Sequence, residues 1–315
     1  MKSVCFLFSL LAMLSVQGDV RVKGDEGKAQ ALMEKAESYM VKGRPGDALD
    51  TLKSLVTRYR KVPMASEAQF KIAVLYESNH EWVRAFDAYQ DFFEWFPASN
   101  RFNEGIEGQL RLAKRMQREI EKERRKGERS KNRRNLPGGE TPSDMFRLIL
   151  ENGKHTELSP LIRYQLGAAY EREDRTLSAK KMFGTIPSHY PNHHLADDAA
   201  FQIGYIDYKG TLKGELRRSF NAEMALRDFL LNYPKSEKSP EAYYCLREMR
   251  KAEAANKIKL AAYYEDKGKA KSAILYLESV LGDYGEFVND REALKERINE
   301  LRKNIPEDKD SFELP

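Results

Sequence analysis

The residues best placed to do chemistry are gathered in one stretch, Ser188-His189-Tyr190-Pro191-Asn192-His193-His194-Leu195-Ala196-Asp197-Asp198, which holds three histidines and two carboxylates. Imidazoles and carboxylates converging on a point would make a metal centre, and a helix starting at or just before Leu195 would set His194 and Asp198 one turn apart. Only this local spacing supports a metal, however. The stretch lies where one helix should end and the next begin, so Asn192 or His193 is expected to cap the following helix instead. The chain carries no glycine-rich phosphate loop, no HExxH pair and no serine in a nucleophile-elbow setting. No catalytic residue, metal or cofactor is therefore expected, and the chain reads as a binding protein and not an enzyme.

The second feature with chemical potential is the basic run RLAKRMQREIEKERRKGERSKNRRNLPGG, from Arg111 to Gly139. Its first part can continue a helix through pairs such as Glu121 with Arg125, while KGERSKNRRNLPGG reads as a loop. A solvated helix extension is the ordinary meaning of such a run. The sharper meaning is attraction to an anionic surface, each Lys or Arg near such a membrane being worth about 1 kcal/mol.

The elements that carry these features are set by a repeat. Ala36, Ala73, Gly167, Gly204 and Ala261 each follow a helix-like run, and an aromatic stands three places later at Tyr39, Tyr76, Tyr170 and Tyr264, with Asp207 beside Tyr208 in the remaining case. Nine residues beyond each of those four tyrosines comes Ala48, Ala85, Ala179 or Ala273, and eleven further on Tyr59, Phe96, Tyr190 or Tyr284. Between small residue and alanine lies a break, KGRP, SNHE, REDR or DKGK, so each unit is two helices joined by a short turn. Antiparallel helices close up only where small residues face each other, which assigns Ala73 to Ala85. A hairpin this size cannot bury its own apolar face, so hairpins must stack, and the step from Ala36 to Ala73 is close to the ~34-residue period of tetratricopeptide repeats. Pro97, Pro191 and Pro234 end second helices because proline lacks the amide and crowds the preceding turn.

Composition agrees with a helical fold that has a wet surface: 33% of residues are charged and 10% aromatic, with a net charge of +5. Residues 1–18, MKSVCFLFSLLAMLSVQG, have one lysine and an apolar run from Val4 to Val16, the pattern of a secretory signal cut after Gly18. The run is too short to span a bilayer stably. Cys5 would leave with it, making Cys245 the sole thiol and ruling out an intramolecular disulfide. Export also disfavours nucleic acid as a partner.

The irregular parts suggest boundaries. Repeats are expected over 28–158, with a basic insertion at about 117–140 splitting a unit that starts at FNEGIEGQLRLAKRM and resumes at SDMFRLILENG, where Ala113, Met116 and Met145 keep the register. A second set is expected over 159–304. In it Ala222 and Tyr233 keep the eleven-residue interval after a lengthened link, and SPEAYYCLREMRKAEAANKIKLAAYYEDKG reads as a pair of long helices. Leu294, Ile298 and Leu301 make one narrow apolar stripe on a closing helix, and 305–315 reads as a tail. The fold class is all-α, a tetratricopeptide-repeat solenoid whose hairpins stack in a superhelix with a C-terminal capping helix.

With the units in register the chain resembles the BamD-like family, the tetratricopeptide components of the outer-membrane β-barrel assembly machinery. The resemblance covers most of the chain beyond residue 18. It is best at ALMEKAESYMVKGRPGDALDTLKSLVTRY and FKIAVLYESNHEWVRAFDAYQDFFEWFPASNRF, and through ADDAAFQIGYIDYKG and LRDFLLNYPKSEKSPEAYYCLREMRKAEAANKIKLAAYYEDKGKAKSAILYLESVL. The last block is the more specific, since the family also lengthens that link. The resemblance implies a scaffold, in the periplasm and peripheral to the outer membrane, that binds the barrel assembly protein and unfolded outer-membrane protein clients. Members of the family are acylated on a cysteine directly after the signal. No cysteine follows the apolar run here, so no lipid anchor is expected, and the basic insertion is a candidate substitute attachment to an anionic membrane. A soluble periplasmic repeat factor of the Tol-Pal and cell-envelope division system is the alternative, although that family places a coiled coil before its repeats and here they begin near Ala31.

Repeat geometry points to the binding residues. The first helix of each hairpin lines the concave face, at positions turned away from the small-residue seam. In the first two units these are Met33, Glu37, Phe70, Val74 and Glu77, continued by Tyr164, Phe201 and Tyr205, a mix of apolar and acidic groups suited to an extended or helical peptide. Phe70 and Phe201 could instead be seam residues.

Overall fold

The computed structural model describes residues 25–126, 136–212 and 217–304, and within them the side chains of Arg217 and Arg218 are left out. The expected signal at 1–18, the tail at 305–315 and the loop part of the basic insertion at 127–135 lie outside the described residues.

The helices run in the order α1 (25–41), α2 (Pro45–Tyr59), α3 (Met64–Ser78), α4 (Trp82–Trp95), α5 (Phe102–Arg125), α6 (Pro142–Gly153), α7 (Ser159–Arg172), α8 (Thr176–His189), α9 (Ala196–Leu212), α10 (Arg217–Asn232), α11 (Ser239–Asp266), α12 (Ala270–Asp283) and α13 (Arg291–Lys303), with a 3-10 turn at Gly285–Phe287. None is long and apolar enough to cross a membrane. The four breaks read from the sequence are one turn made four times. A single residue stands in the left-handed region, Gly43 at φ 67°, His80 at 61°, Asp174 at 57° and Gly268 at 67°. The next amide, of Arg44, Glu81, Arg175 or Lys269, donates back to the carbonyl of Tyr39, Tyr76, Tyr170 or Tyr264 at 2.8–3.0 Å. The spacing of tyrosine and alanine is thus the length of this cap.

Junctions between hairpins also repeat. The amides of Ser99, His193 and Ser236 donate to the carbonyls of Phe96, Tyr190 and Tyr233, and those of Phe102, Ala196 and Ser239 donate in turn to Ser99, His193 and Ser236. Each aromatic-proline stop therefore leads through two tight turns into the next first helix.

The chain divides into two compact units, with the boundary between Ala179 and Lys180 inside α8. In the first unit Ala73 and Ala85 are fully buried between α3 and α4. The buried Gln69 donates its Nε2 to the Ala88 carbonyl at 2.9 Å across the same pair. Glycines bring α4 and α5 together: a Cβ on Gly105 would stand 2.8 Å from the Phe93 ring, and one on Gly108 2.5 Å from that of Tyr89. The split repeat is present, since α5 packs on α6 and buries Ala113, Met116 and Met145. Thr141 and Asp144 form a capping box that restarts the chain at α6.

The second unit holds two apolar cores. One joins Phe201, Tyr208, Ala222, Leu226 and Phe229 to Ala242 and Cys245. The other joins Ala254 and Ala261 to Ala273, Leu277, Val280, Leu294 and Ile298. Here one expectation is corrected: the pair of long helices is a single helix of 28 residues, α11. The physical reason lies between Pro240 and Gly268, where no glycine or proline interrupts a run rich in good helix formers. The closing helix is as read, with Leu294 and Ile298 buried, and Asp290 caps it by accepting from the Ala293 amide at 2.9 Å.

Asp207, which replaces the register tyrosine, is only 4% exposed and pairs with Lys180 at 2.7 Å, so the one departure from the pattern brings its own counterion. The seam of this hairpin is tighter than that of Ala73 with Ala85, because a Cβ on Gly204 would come within 2.8 Å of Leu226 Cγ and 3.1 Å of its backbone nitrogen. Gly204→Val is expected to destabilise the second unit by about 2 kcal/mol through overpacking. Urea unfolding should show a lower midpoint, and an unchanged midpoint would mean that the seam yields without cost.

Candidate protein-binding face

The first helices of the first unit are tied to one another by ion pairs with a common spacing. Lys71 Nζ of α3 donates to Glu37 of α1 at 3.1 Å, Arg101 Nη1 to both Glu67 oxygens at 2.8 and 3.0 Å, and Arg111 of α5 to Glu77 of α3 at 3.3 Å. Each pair is 34 residues apart, three short of the 37-residue step from Ala36 to Ala73, so each rung joins a turn of one first helix to the turn just before its equivalent on the next. Of the predicted face residues, Glu37 and Glu77 are rungs of this ladder. Val74 stands between them at 41% exposure.

Met33 and Phe70 are buried instead of lining the surface. Phe70 packs edge-on against Tyr89 and Phe92, with ring centroids 5.6 Å away in both cases, and the Arg101 guanidinium lies 3.7 Å from its centroid. Phe201, 1% exposed, does the same in the second unit, stacked on Tyr205 at 5.2 Å and edge-on to Phe229 at 5.6 Å. Both are seam residues. Their position on the first helix faces the second helix as much as the open side, because a large ring reaches across one register step. Tyr164 on α7 is half-buried. Tyr205 is half-buried too, stacked on Tyr208 at 6.0 Å with Lys209 Nζ 4.7 Å above its ring. Glu37, Val74 and Glu77 are therefore the predicted residues brought together within reach of a partner on the first unit, and Tyr205 is the accessible one on α9.

The histidine cluster is used locally. His193 Nδ1 accepts from the Leu195 amide at 3.2 Å, inside the turn that leads into α9 and not from an amide of the helix itself, and burial first, then the neighbouring His194, lowers its pKa. His189 Nδ1 lies 2.9 Å from the Thr185 carbonyl, and Asp197 accepts from Ser236 Oγ at 2.6 Å. Among the described residues no group of three or more His, Cys, Asp or Glu is placed to hold a metal ion. Cys245 is buried, and burial pushes its thiol up to about 11, so little thiolate forms near neutral pH.

A cleft of about 300 Å³ between α2, α3 and α4 is lined by Lys53, Tyr76, Arg84, Asp87, Asp91 and Trp95. Burial raises the pKa of Asp87, and that of Asp91 with help from Glu94 and Asp87. The cleft's signal in the sequence was the spacing of Asp87, Asp91 and Trp95, which are four residues apart on one stripe of α4. The basic run is bound to the fold at its base: Arg115 lies over Trp82 at 4.7 Å, and Glu121 pairs with Arg172 of α7 at 3.2 Å.

Beneath the ladder, Tyr89 touches Glu77 through its hydroxyl at 3.4 Å, and burial first, then the Glu77 charge, drives its pKa upward. A tyrosine that keeps its proton longer when folded contributes nothing to pH dependence below about pH 10, its unfolded pKa, and loses stability above it as the unfolded chain ionises first. Tyr89→Phe should remove about 1.4 kcal/mol per pH unit from the alkaline loss of stability in the first unit. Chemical unfolding between pH 9 and 11 tests this, and an equally steep loss in the variant would overturn it.

No family model matches the chain, and no curated relative does either. Among solved structures it is similar to a tetratricopeptide repeat protein from Parabacteroides merdae, with 13% identity over 88% of this chain and 99% of that chain at a TM-score of 0.36. It is also similar to the apo form of RapI, at 12% identity over 87% and 99% with a TM-score of 0.35. PilF of Pseudomonas aeruginosa gives 14% identity over 87% and 99% at 0.30. Helices paired by one repeated cap and joined by one repeated junction, with no strand among the described residues, make this an all-α tetratricopeptide-repeat fold.

Proposed function

We propose that the chain is a non-catalytic scaffold of the outer-membrane β-barrel assembly machinery, working in the periplasm at the outer membrane. The carrying observation is the first-helix face of the first unit, where exposed Val74 stands between Glu37 and Glu77 on helices locked in register by ion pairs 34 residues apart. A ridged face with an apolar centre and ion-paired margins suits a short helical or extended peptide segment. The sequence resemblance to the BamD-like family supplies the identity of that segment: the barrel assembly protein's periplasmic domains and unfolded outer-membrane clients.

The chain tagged at its C-terminus, incubated with detergent-solubilised envelopes of the native host, is expected to recover the barrel assembly protein, and Val74→Arg to lose it while keeping the helical circular dichroism. Recovery of Tol-Pal or cell-wall synthesis proteins in its place would move the function to envelope division. The basic stretch adds a second contact in this reading, through attraction to anionic headgroups. Deleting 127–135 should lower co-sedimentation with anionic vesicles several-fold and leave neutral vesicles unaffected; undiminished sedimentation would sink the membrane role.

A further inference from the structure

α11 serves two cores with one straight helix. Its first half packs Ala242 and Cys245 on α9 and α10, and its second half packs Ala254 and Ala261 on α12. The first half enters as the other first helices do, with the Ser239 amide on the Ser236 carbonyl and the Ser236 amide on that of Tyr233. After α3, α5 and α9 the chain turns and a second helix lies against the first. After the first half of α11 it does not turn, so this half has no second helix of its own.

The face concerned is fixed by helical period. Tyr243, Arg247, Arg250, Ala254, Lys257 and Ala261 are alternately four and three residues apart, which keeps them on one stripe. α12 and its end cover the far part: Arg250 Nη2 donates to the Asp283 carbonyl at 3.2 Å and Lys257 Nζ to Ser279 Oγ at 3.0 Å. The near part is open, with Tyr243 62% exposed and Arg247 exposed and without an ion pair among the described residues. Arg247 stands eight residues after Ser239, the place held by Ala73 after Ala65 and by Gly204 after Ala196, where first helices close on their own second helix. A guanidinium there keeps an ordinary second helix from seating tightly and calls for a carboxylate. On α10 Arg227 is paired with Glu223 at 2.7 Å, and Leu231, one turn further on, is 79% exposed. The equivalent of Arg227 on α4, five residues after Ala85 as Arg227 is after Ala222, is Gln90. That residue accepts from Asn152 of the neighbouring second helix α6 at 2.8 Å.

We propose that Tyr243, Arg247, Arg227 and Leu231 form a docking site for an acidic amphipathic helix of a partner protein, which completes the repeat by continuing the line of α12 along the first half of α11. Apolar side chains of the partner cover the Tyr243 ring and Leu231, and a carboxylate meets Arg247, while Arg227, held by Glu223, borders the site. The site goes beyond the scaffold reading and is independent of the first-helix face around Val74.

The test is fluorescence anisotropy with the full chain and a labelled, stapled three-turn helical peptide bearing leucines along one face with glutamates beside them, against a twin with lysines for the glutamates. The glutamate peptide is expected to bind about tenfold more tightly than the lysine twin. Arg247→Glu should reverse that preference, and Tyr243→Ala should weaken both; both substitutions are at exposed positions, and circular dichroism checks that each variant is folded. Equal affinity for the two peptides, no binding of either, or unchanged discrimination by Arg247→Glu would overturn the proposal. So would sedimentation showing a dimer that Tyr243→Ala dissolves, because the occupant would then be a second copy of the chain.

Discussion

Two helices of about fifteen residues bury one stripe each, and the surface they hide from water when paired alone is too small to offset the entropy of ordering them. Close approach is the constraint on which the rest of this chain depends. Where Ala73 meets Ala85, or where Gly204 lets the Leu226 side chain and backbone come within 2.8–3.1 Å of its absent Cβ, the helices come near enough for large side chains beside the seam to reach a third helix. Phe70 shows the result: one ring on α3 touches two rings on α4 and a guanidinium from the next junction. In the first unit packing therefore carries from one hairpin to the next, while the second unit holds two cores joined by the length of α11.

The same constraint organises the polar groups. Once seams set the distance between successive first helices, fixed turns of neighbouring helices pass each other, and Glu37 with Lys71, Glu67 with Arg101 and Glu77 with Arg111 pair at 34-residue separation. Exposed pairs of this kind are worth little individually, on the order of 0.5 kcal/mol. Their value is in orientation, because each holds a first helix at one rotation relative to its neighbour and so keeps Val74 outward. Asp207 with Lys180 is the buried counterpart, in which a charge stands where the pattern asks for an aromatic and only a partner at 2.7 Å makes it tolerable.

Departures from regularity are where the two units become individual. In the first, α5 runs on past its seam into the basic stretch and is tied back to α7 by Glu121 and Arg172. In the second, α11 ignores a turn that the repeat would place near its middle and uses one helix for two cores, leaving a stripe that begins under α12 and emerges at Arg247 and Tyr243. The first puts basic side chains at the surface, and the second an arginine beside an exposed aromatic ring.

Much of the fold was legible in the residues themselves. The turns KGRP, SNHE, REDR and DKGK, the aromatic-proline stops, the split repeat around Met116 and Met145 and the closing stripe of Leu294 and Ile298 are local matters of period, caps and breakers, and local rules suffice for them. The site was legible only in part, since Glu37, Val74 and Glu77 were placed on an accessible face while Phe70 and Phe201 were drawn into the seams by contacts that one chain's pattern does not contain. The continuity of α11 was missed because a repeat leads one to expect a turn that no residue between Pro240 and Gly268 provides. What the sequence determined by itself is where helices start, stop and show an apolar stripe, which depends on neighbours three and four residues away. Which stripes are covered, which rings fill seams and which charges meet was decided by tertiary structure, because those outcomes depend on the distance between helices far apart in the chain.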